Sequence, residues 1–173
     1  LMEFQRETEA LSQVAGRLGW DQETMMPRGA ADQRSEEMAA MEGVLHARRT
    51  DPRLGEWLDS AKPDGPVAEA NLREIRRSYE RAMKVPARLA SEIARVTSRS
   101  QGIWAEARAA DDVAAFLPTF AEVLSLKREE GAALAAGTDQ TVYDAMLADY
   151  EPGTTGADLA AMFGALRPRL VAL

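Results

Sequence analysis

A chain of 173 residues, 46% hydrophobic and 28% charged, is long enough for one domain with a real core, burying roughly 70% of the surface its unfolded form exposes. Its formal net charge of -7 excludes the surplus of Lys and Arg that phosphate-backbone binding needs, so no nucleic-acid partner is expected. Absence of cysteine removes disulfides and thiolate metal sites, and with no signal-peptide pattern and no apolar run near the ~20 residues of a membrane span, a cytoplasmic protein without membrane contact is expected.

Ala, Leu, Glu and Arg dominate while Ile and Thr are sparse, which favours helix over sheet. Leu1, Phe4, Leu11, Val14 and Leu18 fall on one helical stripe. The stretch Gly19 to Gly29, with Pro27 as breaker, is expected to interrupt it. Met38, Met41 and Leu45 mark a second helix, and Asp51-Pro52 reads as N-cap and first helical position of a third, with Leu54, Trp57 and Leu58.

Lys62 to Pro66 is a loop, after which Leu72, Ile75, Tyr79 and Met83 mark a fourth helix. Pro86 forces Val85 out of the helical region and seeds a fifth, carrying Leu89, Ile93, Val96, Ile103 and Trp104. Asp111-Asp112 places acids at the start of a sixth, with Phe116, Phe120, Val123 and Leu124, and Pro118 disturbs its first turn. Gly137 to Thr141 is a loop before a short helix from Tyr143 to Tyr150, closed by a type II turn at Glu151-Pro152-Gly153. Thr155 to Asp158 reads as a capping box for a last helix with Leu159, Met162, Phe163 and Leu166. The expected fold is therefore all-α: one bundle-like helical region over 1–173. An uncapped start and the apolar finish Leu170-Val171-Ala172-Leu173 lead us to expect a piece of a longer protein.

Chemistry is sparse. His46 is the one histidine, so neither the H-E-x-x-H zinc motif nor the paired Glu-x-x-His sets of di-iron bundles can form, and His46 reads as structural or surface. No nucleophile elbow or phosphate-binding glycine loop is present, and a carboxylate-only metal site has no supporting spacing. Adjacent acids such as Glu36-Glu37, Asp111-Asp112 and Glu129-Glu130 point ~100° apart on a helix and read as solvated surface. Arg48-Arg49 and Arg73 with Arg76-Arg77 read the same way. Three stretches are more distinctive. Trp20 to Gly29 reads as a helix exit with Trp20 and the methionines buried and Asp21 capping, a polar groove contact being the alternative. Gln101, Trp104 and Arg108 share a helix face; Trp104 in a core edged by polar residues is preferred to a ridge lining a substrate groove. Tyr143 to Gly153 is complete as helix-then-turn without any function.

Taken together, WDQETMMPRGA with Arg34, LHARRTDPRLGEWL, NLREIRRSYERAMKVPARL, TSRSQGIWAEARAADDVAAFLP, YDAMLADYEPG and TGADLAAMFGALRPRL resemble, in that order, the carboxypeptidase Taq family of zinc metallocarboxypeptidases. The resemblance covers essentially the whole chain and about the first third of a family member. It implies a mostly helical, grooved, cytoplasmic homodimer that removes amino acids from peptide C-termini. Two histidines of H-E-x-x-H and a later glutamate would hold zinc or a similar divalent ion. The metal would polarise the scissile carbonyl and a bound water, with the motif glutamate as general base. These residues would then form part of one wall, or lid, of the groove. The chain lacks H-E-x-x-H, so no catalytic or metal-binding residue is assigned here, no bound metal is expected, and activity is expected to be absent in the chain alone. The alternative is a stand-alone helical protein-binding module.

Overall fold

The computed structural model describes all residues 1–173. Eight α-helices follow in order: α1 Met2–Thr24, α2 Ala31–Arg49, α3 Pro52–Ser60, α4 Pro66–Lys84, α5 Ala87–Ala109, α6 Val113–Ala135, α7 Val142–Leu147 and α8 Gly156–Val171, with a single 3-10 turn at Arg28–Ala30. No strand forms, so the all-α expectation holds. The chain makes two compact units, Leu1–Lys127 and Arg128–Leu173.

In the first unit α2 packs along α5, α1 lies on α2, and α3 on α4. Leu45, Leu54, Leu58, Leu89 and Val96 are buried there, each worth roughly 1.5–3 kcal/mol of apolar burial. Asp51 caps α3 by accepting from the Arg53 backbone N–H at 2.9 Å, with Pro52 at the first helical position. Pro86 ends α4 by holding Val85 extended.

Three expectations need correction. Helix α1 does not stop at Gly19 but runs to Thr24; an internal glycine costs only ~1 kcal/mol relative to Ala, less than the tertiary bonds made by the residues after it return. Pro118 does not disturb the first turn of α6: it lies inside the helix, whose first turn is capped by Asp112 Oδ1 accepting from the Ala115 N–H at 3.1 Å. Arg48 is no solvated cation: it lies 4.1 Å above the Phe4 ring and donates to Thr8 Oγ1 at 2.9 Å and the Phe4 carbonyl at 3.0 Å. The adjacent acids also have partners. Glu36 accepts from Arg95 of α5 at 2.7 Å and Glu37 from Arg34 at 2.9 Å.

The second unit has little core: Leu134 and Ala145 are its buried hydrophobic side chains. Gly131 lets α6 meet α7, since a methyl there would stand 2.6 Å from Val142 Cγ1 and 2.9 Å from Met146 Sδ. Gly153, at φ 86, takes the left-handed position of the turn before α8. The expected capping box forms: the Asp158 N–H donates to Thr155 Oγ1 at 3.2 Å, and the Thr155 N–H to Asp158 Oδ2 at 3.0 Å. The stripe of α8 does not pack inward, and the helix has no buried residue.

Candidate functional site

The last turn of α1 is built by two opposed sets of bonds. Asp21 Oδ2 accepts from Arg34 Nη2 at 2.6 Å. The same guanidinium donates through Nε to Glu37 Oε2 at 2.9 Å and through Nη1 to the Leu18 carbonyl. The Arg34 side chain is only 11% exposed, and its bond to Asp21 raises its pKa above the ordinary arginine value. Five hydrogen-bond donors in a planar fork suit this three-way bridge; lysine could not make it. Gln22 faces α5 instead. Its amide donates to the Ser98 carbonyl at 2.8 Å and its Oε1 accepts from Ser98 Oγ at 2.7 Å.

Asp21 and Gln22 therefore clamp α1 to α2 and to α5. Neighbouring helical residues point ~100° apart, so residues beside them are turned outward: Trp20 is 64% exposed and Met25 70%. The expectation of a buried Trp20 and a capping Asp21 is thus corrected. Met26 stays half-buried, as does Gly102 of α5.

Trp104 is corrected as well. It is 49% exposed, and Gln101 and Arg108 on the same face are exposed too. A cleft of about 230 Å³ lies between Gln22, Glu23, Met26 and Arg28 on one side and Gln101 and Trp104 on the other. A second cleft, of about 200 Å³, lies between Trp104, Arg108, Asp111 and Phe116. Trp104 is the wall common to both. An indole flanked by an amide, carboxylates and guanidinium groups can cover an apolar side chain while donors and acceptors take up peptide groups.

The residues do not fit a catalytic metal. No group of three or more His, Asp or Glu side chains is placed to hold one. His46 is buried, with Nε2 2.7 Å from the Val85 carbonyl, where it ties α2 to the end of α4. No metal step is assigned to these residues. The clamp could not be found from local pattern, because Gln22 and Ser98 are 76 positions apart; the only local signal is the cluster Asp21-Gln22 with Arg34.

The carboxypeptidase Taq (M32) metallopeptidase family model matches residues 1–173. The chain belongs to this family. It is 39% identical over 186 aligned positions to thermostable carboxypeptidase 1 of Thermus thermophilus, covering 100% of this chain and 36% of that protein. Among solved structures, the M32 carboxypeptidase of Deinococcus radiodurans is 29% identical with a TM-score of 0.73, over 99% of this chain and 35% of that one. The Pyrococcus furiosus carboxypeptidase is 26% identical with a TM-score of 0.75, over 97% and 34%. The M32 chain thus spans about a third of the length of the relatives it matches.

Proposed function

We propose that these residues are the N-terminal helical part of a zinc-dependent metallocarboxypeptidase that removes amino acids from peptide C-termini. The observation that carries the reading is the M32 family match along residues 1–173. The metal, zinc or a similar divalent ion, is held by residues outside this chain, which alone binds none and is inactive. His46 already engaged with a carbonyl, and the lack of a three-ligand cluster, support that division. The complete protein is a cytoplasmic homodimer acting on peptides.

Within it, the face carrying Gln101, Trp104 and Arg108 lines the peptide groove. Its support is the exposure of all three side chains beside two clefts. In the complete protein, Trp104→Ala raises KM for a blocked dipeptide by ~10-fold with kcat nearly unchanged, as expected when binding shared equally by ground and transition states is lost. An unchanged KM would remove Trp104 from the groove. The isolated chain, dialysed against zinc, retains no stoichiometric metal; tight one-to-one zinc binding would contradict the division of labour. The stand-alone binding-module reading has one observation in its favour, the bare apolar stripe of α8.

A further inference from the structure

The two walls of the cleft beside Trp104 belong to different helices of the first unit: Gln22 and Met26 face Gly102 and Trp104 of α5. Helix α1 packs on α2 and α2 along α5, while α1 and α5 share little direct packing. Gln22 and Ser98 tie the walls directly. The Ser98 carbonyl accepts from Gln22 Nε2 at 2.8 Å, and Ser98 Oγ donates to Gln22 Oε1 at 2.7 Å. A carbonyl can only accept, so the amide has one orientation and is held at both of its polar atoms. Ser98 is 6% exposed and does not line the cleft, so it acts there through Gln22. Gly102 lies one turn further along α5. With no side chain there and only a methyl at Ala105, the space between Met26 and Trp104 stays open at about 230 Å³. An apolar cavity of ~150 Å³ is enough for benzene. A side chain of phenylalanine size therefore fits against the indole and the thioether.

We infer that this cleft is a subsite for a bulky apolar side chain of the peptide, and that the Gln22–Ser98 pair sets its width. The inference rests on the groove reading given under Proposed function, to which it adds the class of side chain and the residues that select it. Charge does not select the occupant. Glu23 and Glu106 oppose Arg28 at the cleft, and all three are exposed, where solvent and salt screen them. The surfaces a side chain lies between are the Met26 thioether and the Trp104 indole, which favour apolar area. Their separation is held by directed bonds to a buried serine, so it is a property of the first unit's own packing. Gln22 and Ser98 are thus positioning residues, and Met26 and Trp104 make the contact.

The test uses the complete protein and N-blocked dipeptides with a free C-terminus, carrying Phe, Ala or Lys at each position in turn. Phe is expected to be favoured over Ala at one position by at least ~10-fold in kcat/KM. Ala105→Leu, which fills the gap from the α5 side, cuts kcat/KM for that Phe substrate ~10-fold and leaves the Ala substrate within ~2-fold. Ser98→Ala and Gln22→Met each reduce the Phe preference at least ~3-fold, through KM with kcat nearly unchanged. The double variant does no more than either alone, since both break one link. A fall in Tm with the Phe-to-Ala ratio unchanged makes the pair a plain helix tie and overturns the inference. An Ala105→Leu protein that loses Tm but keeps the ratio overturns it too, because the cleft is then filled in the complete protein. Lys preferred to Phe at that position also overturns it. A protein that cleaves none of these dipeptides refutes the metallopeptidase reading, and the subsite is then judged by calorimetric titration of the same compounds. There, tighter binding of the Phe compound that Ala105→Leu abolishes sustains the subsite, and equal binding of Phe and Ala overturns it, which keeps the two failures apart.

Discussion

The clamp around Asp21 and helix α8 are stabilised by opposite means. At the clamp, bonds join separate helices: Gln22 of α1 to Ser98 of α5, and Arg34 of α2 to Asp21 and Leu18 of α1. These polar side chains are consumed in positioning backbone, and the aromatic surface they leave over, at Trp20 and Trp104, faces solvent. At α8 every bond is local, within about a dozen residues, and the apolar stripe is the free surface. A conspicuous polar motif can therefore be structural, while the surface available for recognition is the hydrophobic residue beside it.

The largest effect that would sharpen this contrast is in the first unit. Leu89→Ala, at a fully buried position, is expected to destabilise by ~3 kcal/mol through cavity formation, read by urea titration. Arg34→Met comes next: it leaves Asp21 and the Leu18 carbonyl short of a partner and should cost ~2 kcal/mol, with loss of amide protection in residues 18–24. If Arg34→Met is neutral, the clamp is decorative. Thr155→Ala removes the N-cap of α8 and should cost that helix ~1 kcal/mol, visible in its own amides and not in those of α5.

Acid should act on α8 more gently and in a defined direction. The Gly156 N–H holds Asp144 below the usual carboxylate range, and the Thr155 hydroxyl does the same for Asp158. Groups depressed on folding contribute fully above the unfolded value of ~4 and lose that contribution as pH falls through their folded values. Fraying of α8 as pH falls below about 4 should therefore show as a fall in helical signal that Asp158→Asn reduces. Asp51, lowered to about 2 mainly by the Arg53 side chain, keeps α3 capped through the same range. The smallest stability effect is expected for Trp104→Ala, within ~0.5 kcal/mol, because an exposed indole leaves no cavity.

Local signals carried most of the fold. The Asp51-Pro52 start, the Pro86 break and the Thr155 box depend on bonds between near neighbours, and each forms where the sequence places it. What local pattern could not supply was the sign of burial for the aromatic residues. Trp20 and Trp104 sit at plausible core positions, yet their neighbours Gln22 and Ser98 pair across 76 positions and turn them outward. The same limit applies to Gly19: its breaker tendency is real, but long-range bonds at Asp21 and Gln22 outweigh it. In the candidate site, Gln101, Trp104 and Arg108 were recognisable as one face, whereas the opposing wall of Glu23, Met26 and Arg28 required the tertiary structure.

Hydrogen exchange on the 173-residue chain, resolved by helix, tests the contrast most directly. The account predicts strong protection of residues 89–107 in α5 and near-free exchange of residues 160–171 in α8. Protection of α8 equal to that of α5 in the chain alone would mean that its stripe is already covered, and would contradict the account.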